Sequence, residues 1–305
     1  MRRNNSPRSH KGKREISIII VALLFSTATV YAQSFTDKIV KELTFEKPSP
    51  YNTLIIGNIN GSVTVKGYEG NKIMVEVERT IKAKTNEKLE LGKKEIQLGI
   101  KDLSDSLIVY TSERCNTFTN KKSSGTGKRQ WSYHSDCDHG NCDSPYSYTM
   151  TFLIKVPHGI NVDVSTINGG DIYIESVSGI VKANNINGSI RLSSLKGATY
   201  AHTINGNVDL DYAGNPSEDC IFYTLNGDIN ASFKKGLAAN LNFKSFNGEL
   251  FTNVDKLESL PAIVEKEKYS NGVKYKVSNS RFKISNGGVN LDFETFNGDV
   301  IVKEQ

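Results

Sequence analysis

Apolar and polar residues alternate one by one through much of the chain, in short stretches interrupted by Asn and Gly. Val162-Asp163-Val164, Ile172-Tyr173-Ile174 and Val208-Asp209-Leu210-Asp211-Tyr212 keep this period of two, which places every second side chain on one face of a strand. The interruptions follow one phrase. It reads Ile59-Asn60-Gly61, Ile167-Asn168-Gly169, Ile186-Asn187-Gly188, Ile204-Asn205-Gly206, Leu225-Asn226-Gly227, Phe246-Asn247-Gly248 and Phe296-Asn297-Gly298, with a partial copy at Asn286-Gly287-Gly288. Thr166, Thr203, Thr224, Ser245 and Thr295 stand just before the apolar member. From Asn168 to Asn247 the copies lie 19, 18, 21 and 21 residues apart, and Gly179, Gly197 and Gly236 mark the half-period. A fixed period near 20 is the mark of a repeat architecture. Asn and Gly suit its corners because both tolerate left-handed backbone angles.

Two all-β folds accommodate this pattern. Asn-Gly between alternating strands is a hairpin signal and would build an antiparallel meander. The same spacing fits a right-handed parallel β-helix, a solenoid of ~20-residue coils with two or three short strands each. The solenoid is the better fit, because the phrase recurs once per two strands with the same neighbours. It places Asn168, Asn187, Asn205, Asn226, Asn247 and Asn297 in a ladder of amides along one corner, about 4.8 Å apart. It also predicts a buried column of Ile186, Ile204 and Leu225, with Thr203 and Thr224 pointing outward. Before the repeats, Thr85 followed by helix formers to Glu95 predicts one short helix. Residues 96–100 and 107–110 read as strands, and about 113–147 as a polar loop. The body, residues 33–305, reads as a single domain.

Residues 1–32 stand apart. A basic, polar start is followed by the apolar run Ile16–Phe25 and by small residues ending Val30-Tyr31-Ala32, the layout of a secretory signal cleaved after Ala32. The 17 residues from Ile16 to Ala32, several of them Ser or Thr, are fewer than the ~20 apolar residues of a spanning helix. The formal net charge of +5 resides entirely in this segment, so the remaining chain is neutral and has no electrostatic footprint for nucleic acid. No second long apolar stretch follows, and none is expected to cross a membrane after signal removal.

The phrases Thr166-Ile167-Asn168-Gly169, Ala183 to Ile190, Thr203 to Val208, Thr224 to Ile229 and the ending Phe293 to Ile301 resemble the adhesin-like bacterial family with a DUF4097 domain, as does Val156 to Val164 leading into them. The resemblance covers roughly residues 50–305. It implies an exported envelope protein with a right-handed β-helix-like fold, and a binding or adhesive surface rather than a catalytic one.

Candidate chemistry is sparse. Cys115, Cys137, Cys142 and Cys220 lie in the exported body, where a disulfide among Cys115, Cys137 and Cys142 is expected. The alternatives are free or intermolecular thiols and a metal site, since Cys137 and Cys142 have His134, Asp136 and Asp143 nearby; the spacing matches no common zinc finger. Trp131, Tyr133, Tyr146 and Tyr148 beside this loop either cap the β-core or form a binding surface. Asp209, Asp211, Asp228, Glu249 and Asp299 recur near the turns, and His202 sits at a corner. Paired carboxylates serve glycoside hydrolysis, but these read as a solvated face. No nucleophile elbow, phosphate loop or His-Glu-x-x-His motif occurs. The expectation is a noncatalytic protein without metal or cofactor, whose partner is an envelope or surface protein or a glycan. An envelope structural or stress-related role through a protein partner, and a polysaccharide-acting enzyme, are the alternatives.

Overall fold

The computed structural model describes residues 33–122, 129–135, 144–269, 272–277 and 280–305. The expected export signal, residues 1–32, lies outside that set. In chain order, β1 (Gln33–Leu43), β2 (Thr53–Gly57), β3 (Val63–Tyr68) and β4 (Ile73–Ala83) precede α1 (Asn86–Glu95), the one helix among the described residues. Next come β5 (Gln97–Asp102), β6 (Ser106–Ser112), β7 (Asn116–Lys122), β8 (Arg129–Ser135) and β9 (Tyr146–Pro157). The repeats supply β10 (Asn161–Thr166), β11 (Ile172–Glu175), β12 (Val181–Asn185), β13 (Ile190–Leu195), β14 (Thr199–Asn205), β15 (Val208–Tyr212), β16 (Cys220–Asn226), β17 (Ile229–Phe233), β18 (Ala239–Lys244) and β19 (Leu250–Thr252). β20 (Leu257–Leu260), β21 (Val264–Tyr269), β22 (Gly272–Val277) and β23 (Ser280–Ile284) lead to the final pair, β24 (Val289–Asn297) and β25 (Val300–Glu304).

The fold is all-β, built on two long mixed sheets. The first runs β1-β4-β9-β3-β11-β13-β15-β17-β25-β19, and the second β20-β23-β18-β24-β16-β14-β12-β10-β2-β6-β5. Strands flanking an Asn-Gly corner never pair with each other. β14 pairs in parallel with β12 and β16 in the second sheet, and β15 in parallel with β13 and β17 in the first. The hairpin alternative therefore does not describe these corners. Inward residues of successive repeats stack in register, as in Val63-Ile172-Ile190-Val208-Ile229-Val300, and all six are buried. Larger rings fill the wider repeats. Tyr212 stacks on Phe233 at 5.1 Å and Phe222 meets Phe293 at 5.0 Å between ring centres.

The last repeat is out of order. β24 lies between β16 and β18, in parallel with both. β25 likewise lies between β17 and β19. The chain thus leaves a slot after β17, builds β18 and β19 beyond it, and returns to fill the slot with its C-terminus. Antiparallel strands finish both sheets at one end, with β4 and β1 in the first and β5 in the second, while at the other end β23 and β20 finish the second sheet and the first ends on the parallel strand β19. Capping strands of this kind stop a stack of parallel repeats from extending. α1 forms as the sequence predicts: Thr85 accepts from the Lys88 amide, and Leu89 and Gly92 are buried. Within the stretch read as a polar loop, β7 and β8 pair as an antiparallel hairpin. Phe118 anchors it, its ring lying over Gly57 where a Cβ would stand 2.6 Å away.

The corner phrase is oriented opposite to expectation. Thr166, Thr203, Thr224 and Thr295 are buried, whereas Ile186 is 38% exposed and Phe246 73% exposed. The physical reason is a backbone demand. Each Thr hydroxyl donates to a glycine carbonyl of the neighbouring repeat: Thr166 to Gly61 at 3.0 Å, Thr203 to Gly188 at 2.9 Å, Thr224 to Gly206 at 2.8 Å and Thr295 to Gly227 at 3.1 Å. A buried carbonyl without such a donor is costly, so the small hydroxyl goes inside and alternation sends the apolar neighbour out.

Two changes test this corner. Gly227 has φ +154°, and a Cβ on it would stand 2.2 Å from the Gly206 carbonyl oxygen. Gly227→Ala is expected to cost at least about 2 kcal/mol in denaturant unfolding. Thr224→Val should cost about 1–2 kcal/mol by stranding that carbonyl. Wild-type stability in both variants would mean the corner is packed differently. Separately, a chain ending at Gly288 lacks the slot-filling pair. It should lose the cooperative thermal transition and become protease-sensitive from β18 onward, which limited proteolysis with mass mapping reads directly.

Candidate functional site

The repeat corners carry two external ladders of side-chain hydrogen bonds that link each repeat to the next. In the first, each Asn amide donates to the Asn of the adjacent repeat: Asn187 to Asn168 at 3.1 Å, Asn205 to Asn187 at 2.9 Å, Asn226 to Asn205 at 2.9 Å, Asn297 to Asn226 at 2.8 Å and Asn247 to Asn297 at 2.9 Å. The order is spatial, so the C-terminal Asn297 sits between Asn226 and Asn247. In the second ladder, side-chain oxygens accept from backbone amides of the next repeat. Asp171 takes Ser189 N at 2.8 Å, Asn207 takes Asp228 N at 3.0 Å, Asp228 takes Asp299 N at 2.9 Å and Asp299 takes Glu249 N at 2.9 Å. Asp228 and Asp299, which the sequence presents as solvated carboxylates, are therefore corner clamps.

Beyond the second ladder, the outer face of the first sheet forms a groove of about 620 Å³. Two rows of side chains line it. Register places Thr64, Tyr173, Arg191, Asp209 and Asn230 side by side on five strands. Lys66, Glu175 and Ser193 form the next row, followed by Asp211 beside Ser232. Arg191 is the hub. Its Nη1 lies 2.7 Å from Asp171 Oδ2 and 2.8 Å from the Tyr173 hydroxyl, and its Nε 3.6 Å from Asp209. The guanidinium covers the Tyr173 ring at 5.3 Å from its centre, a cation–π contact. Asn230 donates to Asp209 at 2.7 Å, and Lys66 pairs with Glu175 at 3.3 Å. Burial raises the Asp171 carboxyl, but the Ser189 amide, Arg191 and Tyr173 outweigh it and hold the group below the ordinary range. Tyr173 is pushed up by burial and by the Asp171 carboxylate.

The groove thus offers a half-exposed aromatic ring, a fixed cation, amides, hydroxyls and carboxylates at one inter-strand spacing. These groups can hydrogen-bond a polar, extended ligand. Tyr173, Arg191 and Asp171 were not singled out in the sequence. Aligning the repeats on Asn-Gly would have found them, because Arg191, Asp209 and Asn230 each follow their Asn by four positions and Tyr173 by five, across the Gly169-Gly170 doublet.

The other sequence candidates lie elsewhere. Trp131 and Tyr133 on β8 pack on Phe118 at 5.6 and 4.8 Å, in a small cluster with Ile55 and Ile108 over the second sheet. The one Tyr133 hydroxyl proton lies between the Gly57 and Thr111 carbonyls, at 3.0 and 2.8 Å from the hydroxyl oxygen. Tyr146 is buried on β9 with its hydroxyl on Glu95, and the half-buried Tyr148 donates to Glu113. Cys115 is half-buried, while Cys137 and Cys142 lie outside the described residues. Cys220 is a buried thiol under the Tyr212 hydroxyl at 3.2 Å. Among the described residues, no three His, Cys, Asp or Glu side chains converge as a metal site.

On the outer face of the second sheet, Asp163 lies in register between Ile55 and Lys182. Burial raises its carboxyl to about 6, against the opposing pull of Lys182. A raised folded value means the folded chain binds the extra proton between about pH 4 and 6, so stability falls as pH rises through that window. Asp163→Asn should remove this slope. Denaturant titrations should show it roughly 1–2 kcal/mol more stable at pH 8 and close to wild type at pH 4.

No family model matches the chain, and no curated protein matches it. Solved structures resemble it, two of them as follows. One is a putative cell adhesion protein from Clostridium sporogenes, 12% identical with a TM-score of 0.42, covering 89% of this chain and 100% of that one. The other is a putative adhesin from Bacteroides fragilis, 9% identical with a TM-score of 0.30, covering 88% and 97% respectively.

Proposed function

We propose that this chain is an exported, noncatalytic β-solenoid of the DUF4097 adhesin-like type that presents a binding surface at the cell envelope, with the first-sheet groove as the ligand site. The carrying observation is the two-row array centred on Arg191, held in place by both corner ladders. A rigid, open, polar strip with an aromatic ring suits recognition of an extended glycan or surface-protein segment. The right hand of the coil follows from the general handedness of connections between parallel strands of one sheet. Export rests on the charge and apolar layout of residues 1–32, and no helix among the described residues is long and apolar enough to cross a membrane.

Binding is the decisive test. The purified chain is applied to a glycan array and to immobilised envelope proteins, beside Arg191→Ala and Tyr173→Ala. The expected result is retention by the wild type and at least tenfold weaker retention by both variants, whose melting points stay within a few degrees. Retention that ignores both variants would remove the groove as the site. Release of sugar from polysaccharide by the wild type would favour the enzymatic reading instead. Intact-mass analysis of the exported chain should show a start at Gln33.

A further inference from the structure

The corner phrase contains one position that the fold does not need to be apolar. In four repeats the residue before it is a Thr buried on a glycine carbonyl, with Asn185 and Ser245 at the same place in two others, and the Asn after it stands in the amide ladder. The residue between them points outward along one margin of the second sheet. In six adjacent repeats it is nevertheless Ile167, Ile186, Ile204, Leu225, Phe296 and Phe246. Ile186, Phe296 and Phe246 are exposed, the other three half-buried. At one inter-strand spacing each, they form a continuous apolar ridge about 24 Å long. Phe246 and Phe296 stack at 4.7 Å, so their shared faces are turned to each other. Beside the ridge, His202 stacks on Tyr223 at 4.5 Å, and the covering of its ring lowers the imidazole from its usual value. A ridge of this extent on a protein surface marks an interaction site.

We propose that the ridge is a self-association seam, on which a second copy of this chain packs face to face about a two-fold axis running along the strands. Three observations select that partner. The first is spacing, since a second copy carries apolar side chains at the same repeat. The second is taper. The ridge grows from isoleucines at one end to phenylalanines at the other, and this two-fold places the large end of one copy on the small end of the other, keeping the gap even. The third is charge. The same axis opposes the Asn187 repeat to the Asn297 repeat of the partner, and in register that sets Lys182 of each copy against Asp292 of the other. Glu294, already paired with Lys244, then faces the neutral Asn184. Such an isologous contact closes on itself and builds a dimer rather than a filament. The β7–β8 hairpin covers the second sheet over β2 and β6, to one side of the strands that carry the ridge. The groove lies on the other sheet and remains free in the dimer.

Sedimentation of the purified chain from 1 to 100 µM tests the seam. The expected result is a dimer. Leu225→Glu should weaken association at least tenfold, as should Lys182→Asp and Asp292→Lys singly. The double exchange Lys182→Asp with Asp292→Lys should restore the dimer, since it reinstates the opposed charges. Arg191→Ala, in the groove, should leave the dimer intact, which separates this seam from the ligand site. Circular dichroism checks that each variant is folded, and Ile204→Gln serves if Leu225→Glu is not. A monomer at 100 µM overturns the proposal, as does a dimer indifferent to the ridge variants or not restored by the double exchange. A monomer that binds phosphatidylcholine vesicles through Leu225 overturns it in favour of a lipid surface.

Discussion

The structure depends on how closely one repeat can approach the next at the Asn-Gly corner. Glycine backbones stack directly on glycine carbonyls, with no room for a Cβ at Gly188, Gly206, Gly227 or Gly298. That approach sets the spacing between repeats, and the remaining corner residues answer to it. The carbonyl turned inward requires a donor, supplied by the buried Thr column. The chain then turns, and the Asn and Asp ladders satisfy the amides and carbonyl edges left on the outside. One backbone contact thereby specifies the buried Thr, the glycine and both external ladders.

The C-terminal repeat shows that the contact is spatial rather than sequential. Asn297 and Gly298 meet the same partners as any internal repeat, although their neighbours in space, Asn226 and Asn247, are 71 and 50 residues away. The excursion through β20 to β23 gives the second sheet an antiparallel end, while the last repeat in sequence sits inside the stack. Such non-local pairing carries a loop-closure cost, and the order in which these strands assemble follows from it.

Outside the corners, the outward positions are free of these demands, and the two sheets use that freedom differently. The first collects Tyr173, Arg191, Asp209 and Asn230 into a polar, ion-paired array. The second carries an apolar margin with neutral or paired neighbours. The body is neutral overall and so carries no net charge for long-range steering.

The phrase Thr-x-Asn-Gly, its period, the strand alternation and the Thr85 cap were legible in the sequence because each is a local property: turn conformers, side-chain period and capping act within a few residues. The Asn ladder was legible for the same reason, since equal corners must stack. What only the tertiary structure decided was which side of each corner faces in, and which repeats touch. Hydrophobicity alone puts Ile204 inside and Thr203 outside; the unpaired glycine carbonyl of the adjacent repeat reverses them, and that carbonyl belongs to a different part of the chain. The same holds for Arg191, whose partners Tyr173 and Asp171 come from the neighbouring repeat 18 and 20 residues away, and for β24, whose place is fixed by a gap between strands that no local pattern records.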